Sequence, residues 1–574
     1  MAFRVPFGYD LIIDGLPSKR AGEMSGGQYS LREVLDGTVE GWQLIPTGEY
    51  REVPAFSPPG EVLDICDAIS ASGGDTIFAG GVVRDSLAGV ENKDIDVEVY
   101  GMKPDKLESV LSKFGRVDTV GSSFGIIKLT TETNDYDFSL PRRENKAGKG
   151  HRGFVVEPDE NMTYEEAGAR RDFTINAMSM TTGGRLIDYF RGLTDLRDRI
   201  LRHTSNHFSE DPLRVLRGFQ FASRFGMSMD KKTADLSRSL RNEYSELPKE
   251  RVWTEWEKWG AKGRFPSAGI QVLKDTDWLE LYPELAQMDG VKQDPEYHPE
   301  GDVLVHTMHV VDEAAKIAER ENLDSREKLI LMFAALCHDL GKPETTVLKN
   351  DRWASPGHAQ AGEKLTVSFL SSIGAPSWLI ENVAPLVVEH MAHVGVEMTP
   401  RVVNRIAARV SPSNIRMLSY VIEADHSGRP PLEKGLPEEA EKMVEMSERL
   451  SIASNKPKAL LGGKDLFDLA DTGALPEAYM RPGKHFGVLL NYLYEAQLDG
   501  EFDTPEEGRK FVAFMFDEEK KSSIEEAIDY IESLNRRRLL RLIDEANRQG
   551  LSEEELLQLP REEIARMSQL AVSK

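Results

Sequence analysis

Residues 80–101 read GGVVRDSLAGVENKDIDVEVYG, and this stretch decides the fold of the N-terminal half. Just upstream, EVLDICDAIS (61–70) has the apolar spacing of a helix, and DTIFAGG (75–81) reads as a strand running into two glycines. DIDVEVYG (94–101), GIIKLT (125–130) and YDFSL (136–140) read as further strands, so a mixed sheet with helices is expected, confined to roughly residues 61–200. Gly80 and Gly81 clear the backbone for close approach of a phosphate, and Arg84 follows at the start of a helix. Asp94 and Asp96 stand two apart on the next strand, which places both carboxylates on one face. Such a pair suits divalent ions that bridge a triphosphate and activate an attacking hydroxyl. Asp137, on an adjacent strand, supplies a third carboxylate. Alone, a Gly-Gly is usually a turn and an Asp-x-Asp a solvated strand edge. Their ordered combination within about 60 residues carries the catalytic reading.

Outward from this core the pattern changes. Residues 1–60 read as an extension ending in the linker-like FSPPG (56–60). After residue 205 strand signals largely vanish, and amphipathic runs such as DPLRVLRGFQFASRFG and KLILMFAALCHDLG predict an all-helical remainder. Residues 516–574 read as a charged helical hairpin, with Ser552 and Glu555 as a capping box.

Composition bounds the function classes. With 71 basic and 96 acidic residues the formal charge is −25, against a protein that coats nucleic acid through bulk positive charge. A local basic groove remains compatible with RNA, and Arg142–Arg152 (RRENKAGKGHR) offers six basic residues, counting His151, against one acid. No run is long and apolar enough for a membrane helix, and the N-terminus lacks a secretory pattern, so no membrane partner is expected. Two cysteines, Cys66 and Cys337, build neither a disulfide framework nor a cysteine-rich zinc site and suit a reducing cytoplasm.

The 80–101 segment resembles the first motif of the class II tRNA nucleotidyltransferase and bacterial poly(A) polymerase family, within the polymerase-β-like superfamily. The resemblance continues in order. PRRENKAGKGHRGF (141–154), with Arg142, is similar to the family's flexible loop. RRDFTINAM (170–178) is similar to its ribose-recognition motif, which implies that Arg170, Arg171, Asp172 and Asn176 meet the nucleotide. EDPLRVLRGFQFASRFG (210–226), with Asp211, Arg214 and Arg217, resembles the nucleotide-selecting motif, and LPKERVWTEWEK (247–258) also matches. Asp211 and Arg214 are three apart, so on a helix they lie on one side about a turn apart. A carboxylate only accepts hydrogen bonds and a guanidinium only donates them. Cytosine and adenine each present an amino donor beside a ring-nitrogen acceptor and match this pair; uracil and guanine oppose it twice. Asp211 before Pro212 is equally an ordinary helix cap.

Eight of the twelve histidines lie between His298 and His426, where an even spread would place fewer than three. The ordered set His306, His338-Asp339, His358, His390 and Asp425 resembles the ligands of the HD phosphohydrolase superfamily, with CHDLGKP (337–343) as its central motif. Imidazole and carboxylate together suit a transition metal such as Ni²⁺, Mn²⁺, Co²⁺ or Zn²⁺, whereas the oxygen-only head suits Mg²⁺. His309 and His393 fall outside the pattern and read as supporting or surface residues. The coexistence of both sets resembles the HD-containing bacterial CCA-adding enzymes.

That resemblance implies an α+β chain: a polymerase-β-like head over 61–204, a helical neck over 205–290, an HD body over 291–430, a helical tRNA-binding tail over 431–515 and extensions at 1–60 and 516–574. It implies addition of CCA to tRNA 3′ ends from CTP and ATP, with a second metal-dependent hydrolysis of 2′,3′-cyclic phosphates, 2′-nucleotides or other phosphoesters. The rivals are a poly(A) polymerase, a partial CC- or A-adding enzyme, and an HD phosphohydrolase whose head only binds RNA.

Overall fold

A computed structural model of the chain describes residues 2–5, 9–12, 28–30, 58–90, 94–118, 126–146 and 154–517. The expected 516–574 hairpin and most of the basic 142–152 loop lie outside the described residues. The chain divides into two compact units, residues 1–390 with 420–436, and 391–419 with 437 onward. Residues 391–419, which the sequence reading gives to the HD segment, thus group with the tail, whereas Asp425 returns to the first unit.

The first unit opens with β1 (Ala2–Val5) and β2 (Tyr9–Ile12), an antiparallel hairpin, followed by β3 (Gln28–Ser30). Its main sheet adds β4 (Asp75–Ala79), β5 (Asp96–Tyr100), β6 (Arg116–Asp118), β7 (Ile126–Thr130) and β8 (Asp135–Ser139). After the β9–β10 hairpin (Arg142–Lys146, Phe154–Pro158) come β11 (Ser179–Thr181) and β12 (Arg185–Ile187). The eight strands run β3-β12-β11-β4-β5-β8-β7-β6, antiparallel except for the parallel β5–β8 pair. The sheet is mixed, as expected, but it is not confined to 61–200: β3 pairs with β12 and carries part of the N-terminal extension into its edge.

Strand alternation divides the two faces. Val97 and Val99 of β5, and Tyr136 and Phe138 of β8, pack into a core with Val62, Ile65 and Ile69 of the helix Gly60–Ala71. Asp96, Glu98 and Asp137, one residue out of phase, lie on the opposite face.

Beyond a short parallel pair, β13 (Ile200–Leu201) with β14 (Ser228–Met229), the first unit is mostly helical. The helix Leu213–Phe225 packs on Lys249–Lys262 and Pro266–Asp275. Fully buried Trp256 and Trp259 pack against Phe219 and Phe333 and join the neck to the helix Ser325–Cys337. One exception to the expected all-helical body is the hairpin of β15 (Val347–Lys349) and β16 (Arg352–Ala354). Among the described residues no helix is long and apolar enough to cross a membrane.

The second unit has its own core, built from Leu466, Leu489, Leu493 and Phe516 among others. Within it, Arg401 and Arg405 both close on the carboxylate of Asp499.

Candidate active sites

In the head, β5 and β8 pair in parallel with Asp96 directly beside Asp137. Two like charges are thereby set side by side by backbone register alone. Asp94 precedes the strand instead of lying on it, because β5 begins at Asp96. The reason is β4, which ends at Ala79, where the chain turns at Gly80 (φ 70°) into the helix Gly81–Leu87 and the ladder with β5 stops. Burial pushes the Asp96 carboxyl upward; Arg171 opposes this, while Asp137, Asp94 and Glu98 push it further. A carboxylate raised by enclosure and by like-charged neighbours is an environment that a divalent cation relieves, so these residues fit a metal ion.

The surrounding residues hold this group in shape. Glu98, two residues beyond Asp96, pairs with Arg171. A Cβ on Gly80 would lie 2.7 Å from that same Arg171 guanidinium, so glycine is required there on both steric and dihedral grounds. The Gly80 amide is already donated to the Met178 carbonyl at 3.3 Å. Arg84 is only 4% exposed. Its guanidinium is spent on Asp85 (2.6 Å) and on Asn176 Oδ1 (2.5 Å) and lies over the rings of Phe221 and Phe225. Asp85 in turn receives Arg224 at 2.9 Å. Arg84 is thus a strut between the glycine turn, the ribose motif and the neck. Asp172 accepts from Asn176 at 2.9 Å and from Arg217 at 2.6 Å. Burial opposes its charge, but Arg217 and these hydrogen bonds hold its carboxyl below the usual range. Arg142 begins β9, opposite Pro158.

The nucleotide-selecting residues do not share a helix. The helix begins at Leu213, and Asp211 precedes it in extended conformation, capping the Leu213 amide at 3.0 Å. The proline that follows, fixed near helical φ, sets this boundary. The second Asp211 oxygen accepts from Arg251 at 2.8 Å. Arg214 donates to the carbonyls of His207 (2.9 Å) and Arg170 (2.8 Å), and Arg170 itself pairs with Glu210 at 3.5 Å.

In the body the structure brings all six predicted residues together. His306 Nε2 lies 3.0 Å from Asp425 and 3.4 Å from His338 Nε2. His338 Nε2 is 3.1 Å from Asp339. On the other side of Asp339, His358 Nε2 is 3.5 Å from its carboxylate and 3.1 Å from His390 Nε2. Each ring is aimed by its other nitrogen: Nδ1 of His338, His358 and His390 meets the carbonyl of Ala335, Ser355 and Val387 respectively, at 2.7 to 2.8 Å. His306 Nδ1 instead lies 2.8 Å from Glu300. This leaves four Nε2 atoms converging with two carboxylates, the arrangement of a metal centre with its orienting partners in place. Asp339 is buried, and neither of its oxygens has a hydrogen bond of good geometry; it lies 2.7 Å from Lys342. Two triads share it, His306–His338–Asp339 and Asp339–His358–His390.

The electrostatics of the group suit a bound cation. Burial opposes charge on Asp339, yet His338 and Lys342 hold its carboxyl well below the ordinary range. Burial also opposes a charged His306, but Asp425 and Glu300 outweigh it and raise the imidazole to about 9. His390 is pushed down to about 3 by burial and by His358 and His338, which keeps it neutral.

Sequence reasoning assigned no role to Glu98, Arg224, Arg251, Glu300 and Lys342. Of these, Arg251 lies inside the matched 247–258 motif, and Lys342 inside CHDLGKP.

Residues 76–202 match the Poly A polymerase head domain family, and residues 303–414 match the HD domain family. The Multifunctional CCA protein of Pasteurella multocida is 37% identical over 364 residues, 61% of this chain and 83% of the relative. That of Aliivibrio salmonicida is 35% identical over 369 residues, 62% of this chain and 86% of the relative. In fold, the chain resembles a Bacillus stearothermophilus CCA-adding enzyme solved in complex with CTP, with a TM-score of 0.51 at 20% identity, covering 80% of this chain and 97% of that one. The chain belongs to the multifunctional CCA protein family.

Proposed function

We propose that the chain adds CCA to tRNA 3′ ends from CTP and ATP without a nucleic-acid template, and that its body hydrolyses phosphoesters at a second, separate metal centre. The observation that carries the first part is the parallel register setting Asp96 beside Asp137 with Asp94 at the strand's entrance. These carboxylates would hold Mg²⁺, which when bound offsets the triphosphate charge and lowers the pKa of the attacking 3′-hydroxyl. Arg171, paired with Glu98, limits the negative charge around them. Asp211 accepts the exocyclic amino group of cytosine or adenine, and Arg214 donates to the adjacent ring nitrogen. The Asp172–Asn176–Arg217 network shapes the ribose side. The tail over 431–515 is assigned to tRNA, and two buried free thiols, Cys66 and Cys337, suit a reducing cytoplasm.

In the body, His306, His338, Asp339 and Asp425 would hold one transition-metal ion and His358 and His390 a second, with Asp339 between them. Bound ions would make water a nucleophile at neutral pH. Glu300 and the three backbone carbonyls keep each imidazole turned so that Nε2 faces the centre.

The deciding assay incubates the chain and Mg²⁺ with tRNA lacking CCA, with CTP, ATP or both, and sequences the products. Two cytidines from CTP alone, and a single terminal adenosine only when both are present, is the expected result. Long adenosine runs with CTP ignored would establish the poly(A) polymerase reading instead.

A further inference from the structure

Four imidazoles turn Nε2 toward the centre of the body, and three of them are aimed by main chain. His338 and His390 each follow the last residue of a helix, Ser325–Cys337 and Ser377–Glu389, where the final carbonyls have no intrahelical donor. Their Nδ1 atoms meet the carbonyls of Ala335 and Val387. His358 uses Ser355, which lies ahead of its own helix. His306 has no such choice. It stands in the first turn of the helix Val303–Arg320, where the Asp302 carbonyl accepts the His306 amide at 2.9 Å and the Val303 carbonyl accepts the Thr307 hydroxyl at 2.8 Å. Its Nδ1 faces a side chain instead, Glu300 Oε1 at 2.8 Å.

A carbonyl is fixed by its chain, whereas a carboxylate at the end of a rotatable side chain must itself be held. The Glu300 side chain is buried, and its second oxygen has no hydrogen-bond partner among the described residues. The first oxygen is held by His298. Its Nδ1 lies 2.9 Å from that same Oε1, and its ring stands edge-on to the ring of His306, with centroids 4.7 Å apart at 80°. An ionised carboxylate only accepts, so Nδ1 is the protonated nitrogen of His298. His298 is anchored in turn. Its amide donates to the Asp294 carbonyl at 2.8 Å, and Pro299 follows it with a fixed φ. The loop that carries both is closed by the Val303 amide on the Val291 carbonyl at 3.2 Å.

We propose that His298 is a positioning residue of the histidine centre: held by its loop, it fixes Glu300, and through Glu300 the ring of His306, so that the centre keeps its ion. The inference rests on the reading of that centre as a metal site. Its test reads metal binding. The full chain, stripped of metal, is titrated with Co²⁺ against a competing chelator, with the Asp339→Ala chain as the blank for ions held elsewhere. His298→Phe keeps a ring against His306 and removes the donor. It should weaken Co²⁺ binding on the order of tenfold, the lower end of what a lost supporting hydrogen bond costs a metal site. His298→Asn places an amide N–H where Nδ1 stands and should keep affinity within about twofold of wild type. In a Glu300→Gln chain, His298→Phe should cost less than about twofold more, since its route to His306 is gone. Should the Phe chain fail to fold, His298→Gln, whose amide lies one bond further out, takes its place. Wild-type affinity in His298→Phe, equal losses in Phe and Asn, or a full further loss in the Glu300→Gln chain overturns the role of His298. Co²⁺ binding by wild type no tighter than by Asp339→Ala overturns the metal-site reading, and the inference with it.

Discussion

The head and the body both gather carboxylates, yet they manage the resulting charge in opposite ways. In the head, Asp94 is exposed and Asp137 half-buried, while the Asp96 residue reaches solvent but its carboxyl is enclosed enough that burial, and then its like-charged neighbours, push it upward. Strand register, the Arg171–Glu98 pair and Lys128, 3.5 Å from Asp137, help to hold the group. In the body, His306, His338, Asp339 and His390 are buried, the Nδ1 atoms of His338 and His390 are held by backbone carbonyls, and that of His306 lies beside Glu300. On the proposed reading the first is an open cluster that a nucleotide and its cations would complete, and the second a cage that would hold its ions before any substrate comes. A site that must accept a different nucleotide at successive steps gains from openness; one that must keep a metal gains from a closed, fully oriented shell.

The largest effect should come from breaking the open cluster. Asp96→Ala should lower nucleotide addition on the order of a thousandfold or more in Mg²⁺, since it removes a ligand whose charge no neighbour replaces. Single-turnover addition measured beside tRNA filter binding checks this, with binding expected to change by less than about twofold. Substantial addition by this variant would remove Asp96 from the metal site. For the cage, Asp339→Ala should lower phosphoester hydrolysis at least on the order of a hundredfold and leave CCA addition intact. Stripping metals with a chelator and restoring Mg²⁺ should rescue addition alone. Loss of both activities in a well-folded Asp339→Ala chain would show that the two sites are coupled.

The two regions also differ in how far they can be read from sequence. Asp94 and Asp96 are visible because they stand two apart beside the glycine turn, and the six histidine-centre residues because histidines crowd into one stretch in an order that resembles a known family. Their supports are not. Arg251 meets Asp211 across 40 positions and Arg224 meets Asp85 across 139, and no local pattern marks an arginine that will find an acid on another element. Glu300 lies in the loop before the helix Val303–Arg320 that carries His306, and a single glutamate carries no signal until the turn at Gly301 brings it beside Nδ1. β3 escaped notice because three residues, Gln28–Ser30, form a strand only through their partner β12. The β15–β16 hairpin did carry a signal: Asn350-Asp351 between alternating residues is turn chemistry that the surrounding helical periodicity obscured.

A smaller effect should separate base selection from catalysis. Asp211 uses one oxygen to cap Leu213 and the other to meet Arg251. Arg251→Met removes the second tether and lets the carboxylate turn without touching the cap. Discrimination of CTP and ATP against UTP and GTP, measured as ratios of kcat/KM, should fall about tenfold, the scale of one lost charge-assisted hydrogen bond. Affinity for tRNA should stay within about twofold. Equal loss for all four nucleotides would mean that Arg251 supports the fold alone.

The smallest effect tests whether the open cluster depends on a surface latch. Glu61, at the start of the helix Gly60–Ala71, accepts hydrogen bonds from Thr133 (2.8 Å), Tyr136 (2.9 Å) and Thr131 (3.1 Å), tying that helix to the β7–β8 turn that leads into Asp137. The Thr133 hydrogen bond, helped by those of Tyr136, Asn134 and Thr131, outweighs burial and lowers the Glu61 carboxyl below its ordinary value. A depressed folded-state value means that the latch contributes in full above the unfolded carboxyl value of about 4.3 and fades as pH falls through the folded one. Because the group is open to solvent, its worth is at most about 1 kcal/mol. Glu61→Gln should therefore lower stability slightly at pH 7, and the gap to wild type should close on acidification below about pH 4. Parallel thermal melts across that range check the sign. A gap that is constant with pH would mean that the amide replaces the carboxylate as acceptor and that shape, not charge, holds the β7–β8 turn beside Asp137.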